Sequence, residues 1–279
     1  SFDRPKQLYA YLESLKKYVS GLNKTYVLYR TSDAAMCGAY QRVFASFPAI
    51  VTFKQAEINP ESNFKPLLND IFFKQSASEY IMFGVDDIIV TDFFTVSDCV
   101  AALEKTGALG FYLRLGKNIT ENYVRDVKNI IPPTLQEISP GIFLWSFDEA
   151  CGKPSWGFKM SVDMTIFRKT DIEKVIANKS CRAPNSFELA LLRLQPKGEC
   201  GLCFEHSKMV NIPINLVQQE WPNNPVMSKF CRNMAAYSTT ALVALFEAGF
   251  KIDIAPLFKI DNTAPHMEFN VSFVQREQA

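Results

Sequence analysis

The chain has 279 residues, 48% of them hydrophobic and 23 of them Phe, which supplies a large core and excludes an intrinsically disordered protein. Thirty Lys and Arg against 29 Asp and Glu leave a formal net charge of +1 without basic or acidic blocks, excluding nucleic-acid binding through a general electrostatic surface. The longest apolar runs, Ala241 to Phe246 and Tyr80 to Val85, are too short to span a bilayer and the first residues do not read as a secretory signal, so a cytoplasmic protein without a transmembrane segment is expected. Peripheral contact with a membrane stays open. The seven scattered cysteines, Cys37, Cys99, Cys151, Cys181, Cys200, Cys203 and Cys231, read as reduced thiols.

Pro5 to Val19 places Leu8, Leu12, Leu15 and Val19 at helical spacing behind a proline suited to a first turn, which predicts an amphipathic helix. A strand follows at Thr25–Tyr29, then a helix at Ala34–Phe47, a strand at Ala49–Phe53, a helix at Asn63–Gln75 and a strand at Tyr80–Val85. This alternation predicts an α/β fold with a mostly parallel central sheet flanked by helices. A strand is also expected ahead of the first helix, with Ser1–Pro5 as the turn between them. Beyond Val90, Val96–Lys105 reads as a helix and Leu109–Leu115 as a strand, and Ile131–Gly157 is rich in Pro, Gly and Trp. A smaller second lobe is expected from residue 111 to 279, after a first lobe of 1–110, within one compact domain. Its predicted elements are a strand at Asp163–Arg168, helices at Asp171–Ala177 and Ser186–Arg193, and a longer helix around Met227–Ala248.

The sharpest chemical signal is Asp86-Asp87, where a nearly continuous apolar strand stops before Ile88-Ile89-Val90 resumes. Ligands of open α/β sheets bind at the carboxyl ends of strands, and adjacent carboxylates there repel unless a cation or donors offset them. Mn²⁺ or Mg²⁺ suits such a pair, because hard oxygen ligands from one or two carboxylates, a phosphate and water suffice. A solvated turn is the plain alternative. Lys65 stands on the helix before the pair and reads as a phosphate contact or a surface lysine. Trp145 and Trp156 offer faces suited to a sugar acceptor, although tryptophan is more often a core anchor. Cys200, Cys203 and His206 open a zinc-like spacing but lack a fourth ligand.

The strings SFDRPKQLYAYLESL, FKPLLNDIF, YIMFGVDDIIV and VDMTIFRKTDI, in this order, resemble a GT-A nucleotide-sugar glycosyltransferase over most of the chain. The resemblance implies a sugar transferred from a nucleotide-sugar donor to a glycan or other hydroxyl acceptor, with Asp86 and Asp87 at the metal and donor diphosphate. Val85 stands where the family has its first acid, which removes one usual contact. The resemblance further implies donor contacts from Phe2, Asp3, Arg4 and Pro5, with Arg30 and Asp33 forming a second edge, and an added metal ligand in His266. It implies a general base for inverting transfer at Glu188, with Asp163 as its competitor. Two other readings remain: a sugar-phosphate nucleotidyltransferase, weakened because residues 1–20 hold no glycine for a phosphate loop, and a non-catalytic nucleotide- or glycan-binding protein.

Overall fold

A computed structural model describes residues 1–192, 199–217, 220 and 236–277. Helix α1 (Pro5–Tyr18) starts at the predicted proline and runs through the molecule rather than over it, burying Tyr9, Tyr11 and Tyr18 as well as Leu8, Leu12 and Leu15. Strands β1 (Tyr26–Tyr29) and β2 (Val51–Lys54) pair in parallel through helix α2 (Ala34–Ser46), the right crossover for such a ladder. Asp33 caps α2, its carboxylate accepting from the Met36 amide at 2.8 Å. Helix α3 (Pro60–Asp70) begins at a proline and widens into a π turn at Ile71–Gln75, so the predicted helix over 63–75 is two pieces.

The central sheet departs from the expected parallel arrangement. It combines β3 (Tyr80–Met82), β5 (Gly110–Tyr112), β6 (Gln136–Ser139), β7 (Ile142–Ser146), β8 (Thr165–Arg168) and β9 (Cys200–Phe204), whereas β4 (Ile88–Val90) lies outside it. The order is β6-β7-β9-β5-β8-β3, and only β9 and β5 pair in parallel. The α/β alternation is real, with α4 (Val96–Thr106) leading into β5, but β8, reached after β6 and β7, lies between β5 and β3 and pairs antiparallel with both. Helices α5 (Lys169–Asn178) and α6 (Pro184–Leu192) follow β8, and β4 pairs with β10 (Met209–Asn211). Helix α7 (Thr239–Glu247) precedes the pair β11 (Phe250–Ile252) and β12 (Phe273–Gln275). The predicted helix at Met227–Ala248 falls partly outside the described residues, and its described part starts at a Ser238 cap.

The segment 131–157 is no bare loop, since the β6–β7 hairpin lies within it. Trp145 of β7 faces Gly201 of β9, where a Cβ would stand 2.5 Å from the indole, so the glycine is what seats the ring. Trp145 and Trp156 pack edge to face at 5.0 Å, both with no exposed surface. Both hydrophobic clusters draw residues from either side of residue 110. Among the described residues no helix is long and apolar enough to cross a membrane. The described cysteines are free thiols, and Cys231 lies outside the described residues.

Candidate active site

A cleft of about 1110 Å³ gathers the loop before α1, the end of β3, the segment before β8, the start of α6 and the segment after β10. At one end Asp86 and Asp87 form a turn between β3 and β4 rather than two positions on an extended strand. Both acids therefore reach one cation. Arg4 Nη1 stands 2.9 Å from Asp86 Oδ1 and 2.9 Å from Asp87 Oδ2. Its Nε donates to Asn215 Oδ1 at 2.9 Å and its Nη2 to the Asn215 carbonyl. Ser1 Oγ donates to Asp86 Oδ2 at 2.6 Å, and Asn211 Nδ2 to Asp87 Oδ1 at 3.1 Å.

Burial pushes the Asp86 carboxyl up, but the Arg4 charge and the hydrogen bonds from Ser1 and Arg4 outweigh it and hold the group below its ordinary value. Asp87 goes the other way: burial, joined by the charges of Asp86 and Asp163, outweighs what Arg4 contributes and raises it. The pair thus divides into a firmly ionised acid and a strained one.

The cleft wall carries two further acids, Glu188 and, between it and Asp87 in electrostatic reach of both, Asp163. Glu188, on α6, accepts from the Val162 amide at 3.0 Å. Burial, with the Asp163 charge nearby, pushes its carboxyl up to about 7. Asp163 lies two residues before β8, and its Oδ2 is 3.5 Å from His266 Nε2. Arg114 completes the wall: it is buried, donates to the Ser155 and Phe158 carbonyls at 3.0 and 3.1 Å, and leaves its Nε unpartnered.

The remaining predicted residues divide sharply. Phe2 and Arg30 both line the cleft, with the guanidinium 3.7 Å from the ring centroid. Asp3 does not line it. With φ at 50°, it instead accepts from the Ser32 amide at 2.9 Å and ties the loop to the end of β1. Pro5 serves as the first helical residue and Asp33 as a cap, so both act on α1 and α2 rather than on a ligand. Lys65 Nζ is buried without a hydrogen-bond partner, outside the cleft lining, and is no phosphate contact in this arrangement. Trp145 and Trp156 are closed core residues and offer no face to an acceptor. Asn211, Asn215 and Arg114 were not singled out by sequence. The only signal for the asparagines is their position at the two ends of the apolar stretch Ile212-Pro-Ile214.

The fit of a divalent cation can be judged from these atoms. Among the described residues no three of His, Cys, Asp and Glu stand together as a ready metal cage. Beside Asp87, however, Asn211 Oδ1 is a buried oxygen without a hydrogen-bond partner. One carboxylate and one carboxamide oxygen are hard ligands suited to Mn²⁺ or Mg²⁺, which would complete its shell from phosphate and water. Asp86 is already held by Arg4 and Ser1, and His266 faces Asp163.

No protein-family model matches the chain. In sequence it is similar to the bifunctional glycosyltransferase pgtA of Dictyostelium discoideum, with 30% identity over 253 residues that make up 80% of this chain. The chain is thus related to a glycosyltransferase, although the match spans only 32% of that protein. Among solved structures, S. aureus TarS aligns over 86% of this chain and 43% of its own, at 12% identity and a TM-score of 0.45. S. aureus TarS 1-349 aligns over 86% of this chain and 71% of its own, at 12% identity, with a TM-score of 0.46 alone and 0.41 in its complex with UDP.

Proposed function

We propose that the cleft is the catalytic site of a GT-A-type glycosyltransferase, which moves a sugar from a nucleotide-sugar to a glycan or other hydroxyl acceptor with inversion. The observation that carries the reading is the pairing of two unlike acid sites in one cleft: Asp86-Asp87 beside a fixed cation, and Glu188 with its carboxyl near 7. The sequence relationship to a glycosyltransferase supports the same class.

In this reading the donor diphosphate lies at the Asp87–Asn211 end and the transferred sugar points toward Glu188. Glu188 removes the acceptor hydroxyl proton while the acceptor oxygen bonds to the anomeric carbon. The bond from that carbon to the diphosphate oxygen breaks, and its electron pair leaves with the nucleoside diphosphate. A carboxyl close to 7 is suited to this work, because a sizeable fraction is ionised at neutral pH and the base is stronger than an exposed carboxylate. Burial maintains that value, helped by the charge of Asp163, which stands 3.5 Å from His266. Mn²⁺ or Mg²⁺ held by Asp87 and Asn211, with His266 as a further candidate, would neutralise charge developing on the departing diphosphate.

The test is a thermal-shift screen of nucleoside diphosphates with and without Mn²⁺, followed by donor turnover on the nucleotide that binds. Stabilisation and release of nucleoside diphosphate from its sugar donor are expected. Stabilisation without turnover across a panel of donors and hydroxyl acceptors makes the protein a binder. A nucleotide released only with pyrophosphate as co-substrate makes it a nucleotidyltransferase.

A further inference from the structure

We infer that Arg4 is a built-in counter-cation, a positioning residue that holds Asp86 and Asp87 aligned before the donor arrives and then yields Asp87 to the incoming metal and diphosphate. The inference rests on the proposed reading of the acid pair as the diphosphate end of the cleft.

Two adjacent buried carboxylates need positive charge within a few ångströms, and a single guanidinium nitrogen at 2.9 Å from each provides it. An arginine is suited to the task because its charge is not lost at any physiological pH. The guanidinium is also held from behind. Its Nε and Nη2 are spent on Asn215, whose own Nδ2 donates to the Tyr237 carbonyl at 2.8 Å. Arg4 thus has a defined position without either acid, and the acids are drawn to it.

The two acids are not held alike. Asp86 binds Arg4 through one oxygen and Ser1 through the other. Asp87 shares the same guanidinium nitrogen and has as its second partner an Asn211 side chain with an unpartnered oxygen of its own. One nitrogen serving two carboxylates falls short of the paired fork that makes arginine–carboxylate contacts strong. Asp87 is the partner that can leave, because Arg4 would then still be neutralised by Asp86. The consequence is ordered loading. With Arg4 in place, a free divalent cation meets a pair whose charge is already half offset and whose oxygens are engaged, and it binds poorly, whereas a cation arriving with a diphosphate brings ligands of its own.

The experiment titrates Mn²⁺ calorimetrically into the nucleotide-free protein, its Arg4→Met variant and its Arg4→Lys variant, and records melting with and without Mn²⁺. Wild type is expected to bind Mn²⁺ weakly in the absence of nucleotide. Arg4→Met should bind at least about tenfold more tightly, and its lowered melting temperature should rise with Mn²⁺, since the metal replaces the lost charge. Arg4→Lys, which keeps the charge, should stay close to wild type. Should Arg4→Met fail to fold, Asn215→Ala, which loosens the guanidinium, is expected to shift Mn²⁺ affinity in the same direction. Unchanged Mn²⁺ affinity in whichever of these two variants folds would overturn the inference, as would tight nucleotide-free binding by wild type. Failure of wild type to bind any nucleoside diphosphate in Mn²⁺ instead removes the diphosphate site itself, a separate result that the same calorimeter reads.

Discussion

The two ends of the cleft hold the same kind of side chain and treat it in opposite ways. At the turn between β3 and β4, burial of Asp86 is offset by a guanidinium at 2.9 Å, and the acid stays ionised. On α6, Glu188 is half-buried and receives hydrogen bonds from the Val162 amide and the Ser161 side chain but no contacting cation, and its carboxyl rises to about 7. Arg114 is close enough to moderate it by charge but is committed to the Ser155 and Phe158 carbonyls. A buried carboxylate thus becomes a fixed charge or a proton carrier according to whether neighbouring cations and donors outweigh its burial and the acids beside it, which they do at Asp86 and do not at Asp87 or Glu188. One cleft contains both.

The largest expected effect lies at the proton-carrying end. Glu188→Gln should keep donor affinity and lower transfer by roughly 10² to 10⁴, the usual contribution of a positioned base. Rates and donor affinity measured together decide it, and near-normal turnover would move the role to Asp163. At the fixed-charge end, Asp87→Asn should weaken Mn²⁺-dependent nucleotide binding by about tenfold or more while Asp86→Asn mainly lowers the melting temperature. Equal loss of affinity at both positions would mean that the two acids act as one ligand set on their shared turn.

Asp86 and Glu188 should also differ in sign with pH. The folded protein binds the Glu188 proton more tightly than an unfolded chain, whose carboxyl is ordinary at 4.5, so stability falls as pH rises from there through about 7. Transfer should rise over the upper part of that window as the base ionises. Asp86 is held low, so its contribution is present above the ordinary value of 3.8 and is lost as pH falls from there through its lower folded value. Comparing melting temperature against pH for wild type and Glu188→Gln isolates the first slope, and a variant with the same slope would assign it elsewhere. The smallest effect belongs to a residue outside both ends: Asp33→Ala should cost about 1 kcal/mol through the lost cap of α2 and leave donor affinity unchanged. Denaturant unfolding and nucleotide titration check the two halves of that statement.

Local signals in the sequence determined the main elements of the first hundred residues, although the strand expected ahead of α1 is only an isolated bridge from Phe2 to Arg30. Proline at a first turn, apolar residues at helical spacing and the apolar run ending in Asp86-Asp87 each depend on neighbours a few positions away, and α1, α2, α4 and β3 appear where those signals lie. Four of the acids that line the cleft, Asp86, Asp87, Asp163 and Glu188, were singled out from the sequence once the resemblance was admitted, whereas Glu61, Glu79, Glu104 and Glu220 of the same lining were not. Partnership was not legible. Arg4 finds Asn215 211 positions away, Asp87 finds Asn211 124 positions away, and Gly201 makes room for Trp145 across a strand pair. Nothing local records such contacts, because they depend on the order and direction in which strands join the sheet. The antiparallel β3–β8 pairing set that order and overrode the parallel one expected from the alternation of elements. The Asp86-Asp87 turn likewise put both acids on one cation, whereas an extended strand would have sent them to opposite faces. Sequence therefore determined which groups were available, and tertiary structure decided which of them became charge pairs, which became core and which was left to carry a proton.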